Sequence, residues 1–194
     1  MEQHYRGGQR NFEPPAPKPY DMVPLPNRVR REDPRRMGNG HDKYQTNHYT
    51  GQIYGTIEAL SPIHIASGIV ELGQDVPLIK TAVRTRARVV IPGSSLKGAI
   101  RSAVEAISES CICKVSREIQ RDIPGGFGEC RIQSQSSLCV ACRMFGAMGF
   151  QGNVSIHDAA QEAGNVVTLR VPELYSPSKG ARVYFNESGD ISGR

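Results

Sequence analysis

Val89-Val90-Ile91 runs straight into Pro92-Gly93, and the stretch that follows narrows the folds open to this chain more than any other. Three apolar strand formers end against a residue with no amide proton and one with no side chain, so a strand stops there and the chain turns. Beyond the turn, Leu96, Ala99, Ile100, Ala103, Val104 and Ile107 fall at i, i+3, i+4, i+7, i+8 and i+11, the spacing of one apolar helical stripe. The spacing predicts a helix over about 96–108 that buries this stripe. Ser94 or Ser95 is placed to accept a hydrogen bond from an orphan amide of the first turn. Lys97 and Arg101 lie off the stripe. Free amides at a helix N-terminus, two serine hydroxyls, Gly98 and Lys97 together suit a phosphate, although an ordinary capped helix with solvated basic residues fits the same letters.

The segment before the turn is basic. Arg84, Arg86 and Arg88 alternate with Thr85 and Ala87, so a continuous strand through them would put all three guanidinium groups on one side, about 7 Å apart, close to the spacing of successive phosphates. From Val76 to Val104 there is no acidic residue, while Lys80 joins Arg84, Arg86, Arg88, Lys97 and Arg101. A solvated strand face is the plainer reading of such a row. The formal net charge of +5 and a pI near 9.1 point to an anionic partner. With no Trp and only 6% aromatics, phosphate contacts are a better match than a surface built on base stacking.

There is no run of 18 apolar residues to span a membrane, and the N-terminus is polar without an apolar signal core, so a cytoplasmic protein is expected. In that compartment the five cysteines read as thiols or metal ligands. Cys111-Ile112-Cys113, Cys130 and Cys139-Val140-Ala141-Cys142 occupy 32 residues, and the last pair has the C-x-x-C spacing that lets two thiolates reach one tetrahedral zinc. Neighbours in C-x-C rarely both bind one structural ion with ease. Cys113, Cys130, Cys139 and Cys142 are therefore the expected ligands, with Cys111 as the substitute. Free buried thiols are the alternative. Gly125-Gly126-Phe127-Gly128 makes the intervening loop poor at building its own core, which favours a metal staple.

Residues 1–50 hold seven of the thirteen prolines and a basic cluster at Arg28, Arg30, Arg31, Arg35 and Arg36. Such a stretch is expected to be a flexible arm until RNA or an acidic neighbour holds it. From Gly51 the letters change: Ile53, Gly55, Ile57 and Ala59 alternate with Gln52, Tyr54, Thr56 and Glu58, the period of a half-buried strand over about 51–60. Asn153 to Asp158 and Val166 to Val171 read as return strands, and Arg182 to Phe185 as a short one.

Three stretches taken together carry a family likeness. IPGSSLKGAIRS at residues 91–102, Tyr49-Thr50-Gly51 through Ile69, and Cys139 to Ala147 with its cysteine pair followed by Phe145-Gly146 resemble, in the same order, motifs of the CRISPR-associated RAMP superfamily. The likeness is to the backbone subunits of type III RNA-guided interference complexes and spans about residues 50–160. Pro19-Tyr20-Asp21-Met22-Val23-Pro24-Leu25 also resembles the leader of one subfamily. The resemblance implies an α+β fold of the ferredoxin-like, RNA-recognition-motif type over residues 51–194, with a zinc-bound insertion at about 109–150. The family's second amphipathic helix, final strand and glycine-rich closing loop are not visible, which implies a truncated or split subunit with an incomplete sheet.

The function so implied is binding of CRISPR guide RNA through its backbone, alongside complementary target RNA and other subunits, while base pairing reads the target. Arg84, Arg86, Arg88, Ser94, Ser95, Lys97 and Arg101 are the expected RNA contacts. Asp75, in the loop Glu71-Leu72-Gly73-Gln74-Asp75-Val76-Pro77, matches the aspartate that serves RNA cleavage in the family's cutting subunits. There it would hold Mg²⁺ or another divalent cation beside the scissile phosphate of guide-paired target RNA. Two rivals stand beside this reading. One is a processing endoribonuclease that cuts precursor guide RNA with His41, His48, Tyr49 and His64. The other is a zinc-stabilised scaffold without catalysis.

Overall fold

The computed structural model describes residues 22–36, 41, 46–74, 76, 78–113, 115, 119–132, 137–171, 188 and 190. Asp75 and the segment 182–185 lie outside them. Two small antiparallel sheets precede the helix. In the first, β1 (Ala66–Glu71) pairs with β2 (Ile79–Ala82), Val70 opposite Lys80 and Glu71 opposite Ile79. The register shifts between Ala66 and Val70, where Gly68 takes φ +83°. Glycine tolerates that left-handed backbone and makes a bulge there inexpensive. The hydroxyls of Ser67 and Thr81, 2.8 Å apart, tie the irregular stretch across the two strands.

The arginine segment is folded back on itself. β3 (Arg84–Thr85) and β4 (Arg88–Ile91) form a hairpin in which Arg84 faces Val89 and Thr85 faces Arg88. The turn is Arg86-Ala87, with Arg86 at φ 57°. A non-glycine residue in that region costs about 1–2 kcal/mol. The expected continuous strand with three arginines on one side is therefore corrected. Directly opposed residues share a sheet face, so Arg84 and Arg88 lie on opposite faces and Arg86 sits at the tip.

α1 spans Gly93–Ile107 and leaves β4 through Pro92. Its position matches the expectation, but its orientation does not. The inward face carries Gly93, Arg101 and Glu105, with Lys97 and Val104 half-buried beside them. Ala99, Ile100, Ala103 and Ile107 of the predicted stripe are exposed, Ile107 to 82%. An apolar stripe turns inward only where a surface covers it. Among the described residues the sheets have strands of only two to six residues, and these positions stay uncovered.

The interior lies instead in the cysteine region. Cys111, Cys113, Cys130, Leu138, Cys139, Ala141 and Cys142 form one buried cluster, and Ile112 with Phe127 forms a second beside it. A 3-10 turn at Ile119–Asp122 and a short helix α2 (Val140–Phe145) frame these clusters. The glycine-rich loop contributes more than expected, because Phe127 is buried and its carbonyl accepts the Ile112 amide at 2.8 Å.

After α2 the chain returns along the start of α1. Lys97 Nζ donates to the Val154 carbonyl at 2.9 Å, the Gly93 amide donates to Asp158 Oδ1 at 2.8 Å, and β5 (Ala159–Ala160) pairs with β4. Gly93 has to be glycine here, since a Cβ would stand 2.1 Å from the Ile156 carbonyl oxygen. Burial alternates along 153–157 as a strand would require, with Val154 and Ile156 half-buried and Ser155 and His157 exposed, but Asp158 is exposed again and only β5 is laddered.

The expected strand at 51–60 does not form. Its alternating residues are all exposed, and no backbone hydrogen bond reaches them among the described residues. The same is true of 166–171. A half-buried strand requires a neighbouring edge, and the described residues place none beside either segment. The architecture is mixed, with one principal helix and small antiparallel sheets.

Candidate metal centre

Each cysteine of the centre is set by its own element. Cys139 is the N-cap residue of α2 and Cys142 stands one turn on, so the C-x-x-C pair faces one way across the first turn. The Arg143 amide closes that turn on the Cys139 carbonyl at 3.0 Å, and buried Ser110 accepts the Ala141 amide at 3.2 Å. Gly146 ends α2 at φ +100°, where its amide returns to the Cys142 carbonyl. Close crossing of Gly146 and Gly152 then sends the chain back, since a Cβ on Gly152 would meet the Gly146 nitrogen at 2.4 Å. Cys111 follows Ser110 at the end of the α1 turn, and Cys130 follows the glycine loop.

The sulfurs of Cys111, Cys130, Cys139 and Cys142 lie within 4.8 Å of one another, and all four residues are buried. Cys111 Sγ is 3.6 Å from both Cys139 Sγ and Cys142 Sγ. Four sulfurs at about 2.3 Å from a tetrahedral zinc are about 3.8 Å apart, so the cluster is already near the geometry that the ion demands. The fourth member is Cys111, not Cys113. Both residues of the C-x-C belong to the same buried cluster, but the Cys113 sulfur points to Glu129 Oε1 at 3.9 Å. Sequence spacing cannot separate the two; the direction of the chain leaving Ser110 does.

The electrostatics suit a cation. Hydrogen bonds with Cys111 hold Cys139 far below the usual thiol range and bring Cys130 down to about 7. Cys111 is pushed up, by its contact with Cys113 first, and Cys142 is pushed up, by its contact with Cys111 first. Four sulfurs this close together are donors whose thiolate charge a divalent ion would neutralise. Burial pushes Glu105 up, while its hydrogen bond with Arg101 opposes the shift. Arg101 stays charged although burial works against it, because it donates to Glu105 Oε1 at 2.7 Å.

A family model of the RAMP superfamily matches residues 56–191. The chain belongs to the RAMP superfamily. Its members are CRISPR-associated RNA-binding proteins, and that function is carried over here. No curated protein matches the chain. Among the described residues, no helix of this RAMP protein is long and apolar enough to cross a membrane.

The RNA contacts expected from sequence are dispersed by the fold. Ser94 and Ser95 are exposed at the start of α1. The amides beside them are largely taken: Gly93 donates to the Asp158 carboxylate, and Ser95 and Leu96 donate to the Pro92 carbonyl. The serine caps expected there are absent, and a carboxylate already occupies the place where a phosphate would sit. Lys97 is turned to Val154. Arg101 is buried against Glu105, the Gly146 carbonyl at 2.8 Å and Cys142 Sγ at 3.3 Å. Arg84, Arg86 and Arg88 remain exposed. None of their guanidinium groups has a hydrogen bond or ion pair among the described residues.

Of the histidines raised for processing chemistry, His41 meets the Gln151 carbonyl at 2.9 Å and leans on Phe150, while His64 meets the Lys80 carbonyl at 3.2 Å. The two are anchored on separate segments. His48 is exposed and Tyr49 fully so.

Sequence reasoning missed Asp158, Glu105 and Arg31 as architectural residues. Only Glu105 left a signal, its i, i+4 spacing from Arg101.

Proposed function

We propose that this chain is a guide-RNA-binding backbone subunit of a type III CRISPR interference complex, stabilised by one structural zinc at Cys111, Cys130, Cys139 and Cys142. Membership of the family supplies the RNA. The exposed arginine hairpin is the single observation that carries the contact site, since Arg84, Arg86 and Arg88 extend from both faces and the tip of β3–β4 with no acidic residue from Val76 to Val104. A set of point charges on a short hairpin reads phosphate and not bases, as backbone recognition requires. Zinc, where bound, supplies tertiary cross-linking to a small core and no chemistry of its own, because four protein sulfurs close its coordination. Cleavage of guide-paired target RNA with a divalent cation at Asp75 belongs to the same reading.

Fluorescence anisotropy with unrelated single-stranded RNAs tests the contact site. The triple variant Arg84→Ala, Arg86→Ala, Arg88→Ala is expected to bind all of them more weakly and to lower the salt slope by about 2, since each phosphate contact on a single strand contributes about 0.7. Unchanged affinity, or a loss confined to one sequence, rejects the hairpin as the contact. Within an assembled complex, Asp75→Ala should stop Mg²⁺-dependent target cleavage while leaving guide binding intact; unchanged cleavage rejects that role.

A further inference from the structure

The basic arm was expected to be free, yet residues 25–34 cross the cysteine centre and touch every segment that carries a ligand. Arg31 Nε donates to Cys130 Sγ at 3.3 Å, and its Nη2 donates to the carbonyls of Gly126 at 3.1 Å and Gly128 at 2.9 Å, the loop that presents Cys130. The Arg30 amide bonds to the Glu109 carbonyl at 3.0 Å, two residues before Cys111. Glu32 exchanges backbone hydrogen bonds with Leu138, next to Cys139, at 3.0 and 2.8 Å. Its carboxylate also pairs with Arg143, next to Cys142, at 2.9 Å. Val29 packs on both buried clusters, and Pro34 is fully buried.

Charge explains why arginines stand there. Four thiolates around a divalent ion carry a net charge of −2, and a buried charge requires partners. Among the described residues, Arg31 and Arg101 donate to the sulfurs, Arg31 to Cys130 and Arg101 to Cys142, each at 3.3 Å. We propose that Arg31 and Arg101 are positioning residues of the metal centre, and that Arg31 makes metal occupancy the fastener of the strap 25–34. This rests on the cysteine centre holding a metal. A thiolate on a metal is an anionic acceptor, and hydrogen bonds to charged groups are roughly twice as strong as neutral ones. Where protons replace the ion, the Arg31 bond weakens and the four ligand segments to which the strap is tied separate.

Three measurements on the full chain test this. In amide hydrogen exchange, Glu32 and Leu138 should be protected in the zinc-loaded protein and exchange much faster after chelator treatment. Arg31→Met should weaken zinc about 10- to 100-fold in competition with a chromophoric chelator, the usual loss for an outer-shell partner, and Arg31→Lys should recover part of it. With Co²⁺ as the probe, Arg31→Met should move the sulfur-to-metal charge-transfer band to longer wavelength, because a sulfur that loses a hydrogen bond gives up its electrons more easily. That shift is one a merely structural role would not produce. A wild-type chain that takes up neither ion overturns the metal reading itself. A wild-type chain with a tetrathiolate cobalt spectrum, but with strap exchange independent of metal or with Arg31→Met affinity unchanged, overturns only the present inference.

Discussion

The cysteine region and the strand region differ in what they do with the same kind of residue. Leu138, Phe127, Phe145 and Ile112 are buried around the four thiols, whereas Ile53, Leu60, Leu72 and Ile69, of comparable size, are exposed in or beside the extended segments. Within 46–92, Val90 is the one buried residue among those described. The difference shows what an interior requires. Around the cysteines, side chains converge from the strap, α1, the glycine loop and α2, so each apolar group has neighbours on several sides. Along 51–60 and 166–171, alternation supplies one apolar face and the described residues supply nothing to lay against it. Where a modest core is all that composition permits, the four clustered cysteines could, with a metal bound, do the joining that bulk apolar burial does elsewhere.

The largest effect that could break this contrast is removal of the centre. Cys111→Ser, or Cys139→Ser with Cys142→Ser, should abolish bound zinc and unfold the cysteine region, because structural zinc supplies about 10–16 kcal/mol of apparent binding energy to small domains. Cys113→Ser should retain one equivalent. Metal analysis of protein purified without chelator, together with near-ultraviolet circular dichroism, reads both outcomes. A Cys113 variant that loses zinc while a Cys111 variant keeps it reverses the ligand assignment.

Next in size is Arg101→Ala. The guanidinium links Glu105, Gly146 and Cys142 inside the cysteine region, and its removal strands a buried carboxylate. Breaking one partner of such a pair costs about 3–5 kcal/mol. Arg88→Ala, a change of the same residue type in the strand region, should stay within about 0.5 kcal/mol. Urea unfolding compares the two, and similar losses would erase the distinction between a buried and a solvated arginine. Smaller again is Asp158→Ala, which removes the only side-chain acceptor at the Gly93 amide among the described residues. Loss of a helix cap costs about 1 kcal/mol. A shift in urea midpoint with no change in slope is the expected record.

These residues also show what could be read in advance. The helix was legible because Pro92-Gly93 and a 3.6-residue period are local signals. Its inward face was not, because Arg101 earns its place through Cys142, 41 residues away, and Gly93 through Asp158, 65 residues away. The cysteine cluster was visible as a motif, but Cys111 and Cys113 are equivalent on spacing and differ only in where the folded chain aims them. The hairpin gave no warning: Arg86-Ala87 lacks the glycine or asparagine that marks a two-residue turn, and alternation reads the same through a strand or a folded pair. Arg31 looked like one more arm arginine, since its sulfur partner is 99 positions on. Local periodicity identifies elements; the partner of each face is set by the fold.

The smallest expected effect tests the orientation of α1 most directly. Had the stripe been buried as its spacing predicted, Ile107→Ser would leave a cavity and an unmatched hydroxyl, at a cost in the range of about 2–5 kcal/mol that large-to-small core changes carry. In the structure Ile107 is 82% exposed, Ile100 is 45% exposed, and Arg101 and Glu105 occupy the inside. A substitution at such a position removes little apolar contact. Isoleucine and serine also have similar helix propensities, so the backbone term is small as well. Ile107→Ser alone, and with Ile100→Ser, should therefore leave the urea midpoint of the isolated zinc-loaded chain within about 0.5 kcal/mol of wild type. Exposed apolar surface would fall, and dye binding to hydrophobic patches should fall with it. A loss above about 2 kcal/mol would mean that α1 packs its apolar stripe inward in solution. Arg101 would then be turned away from Cys142, and the division between a cysteine-lined interior and uncovered strands would have to be redrawn at this helix.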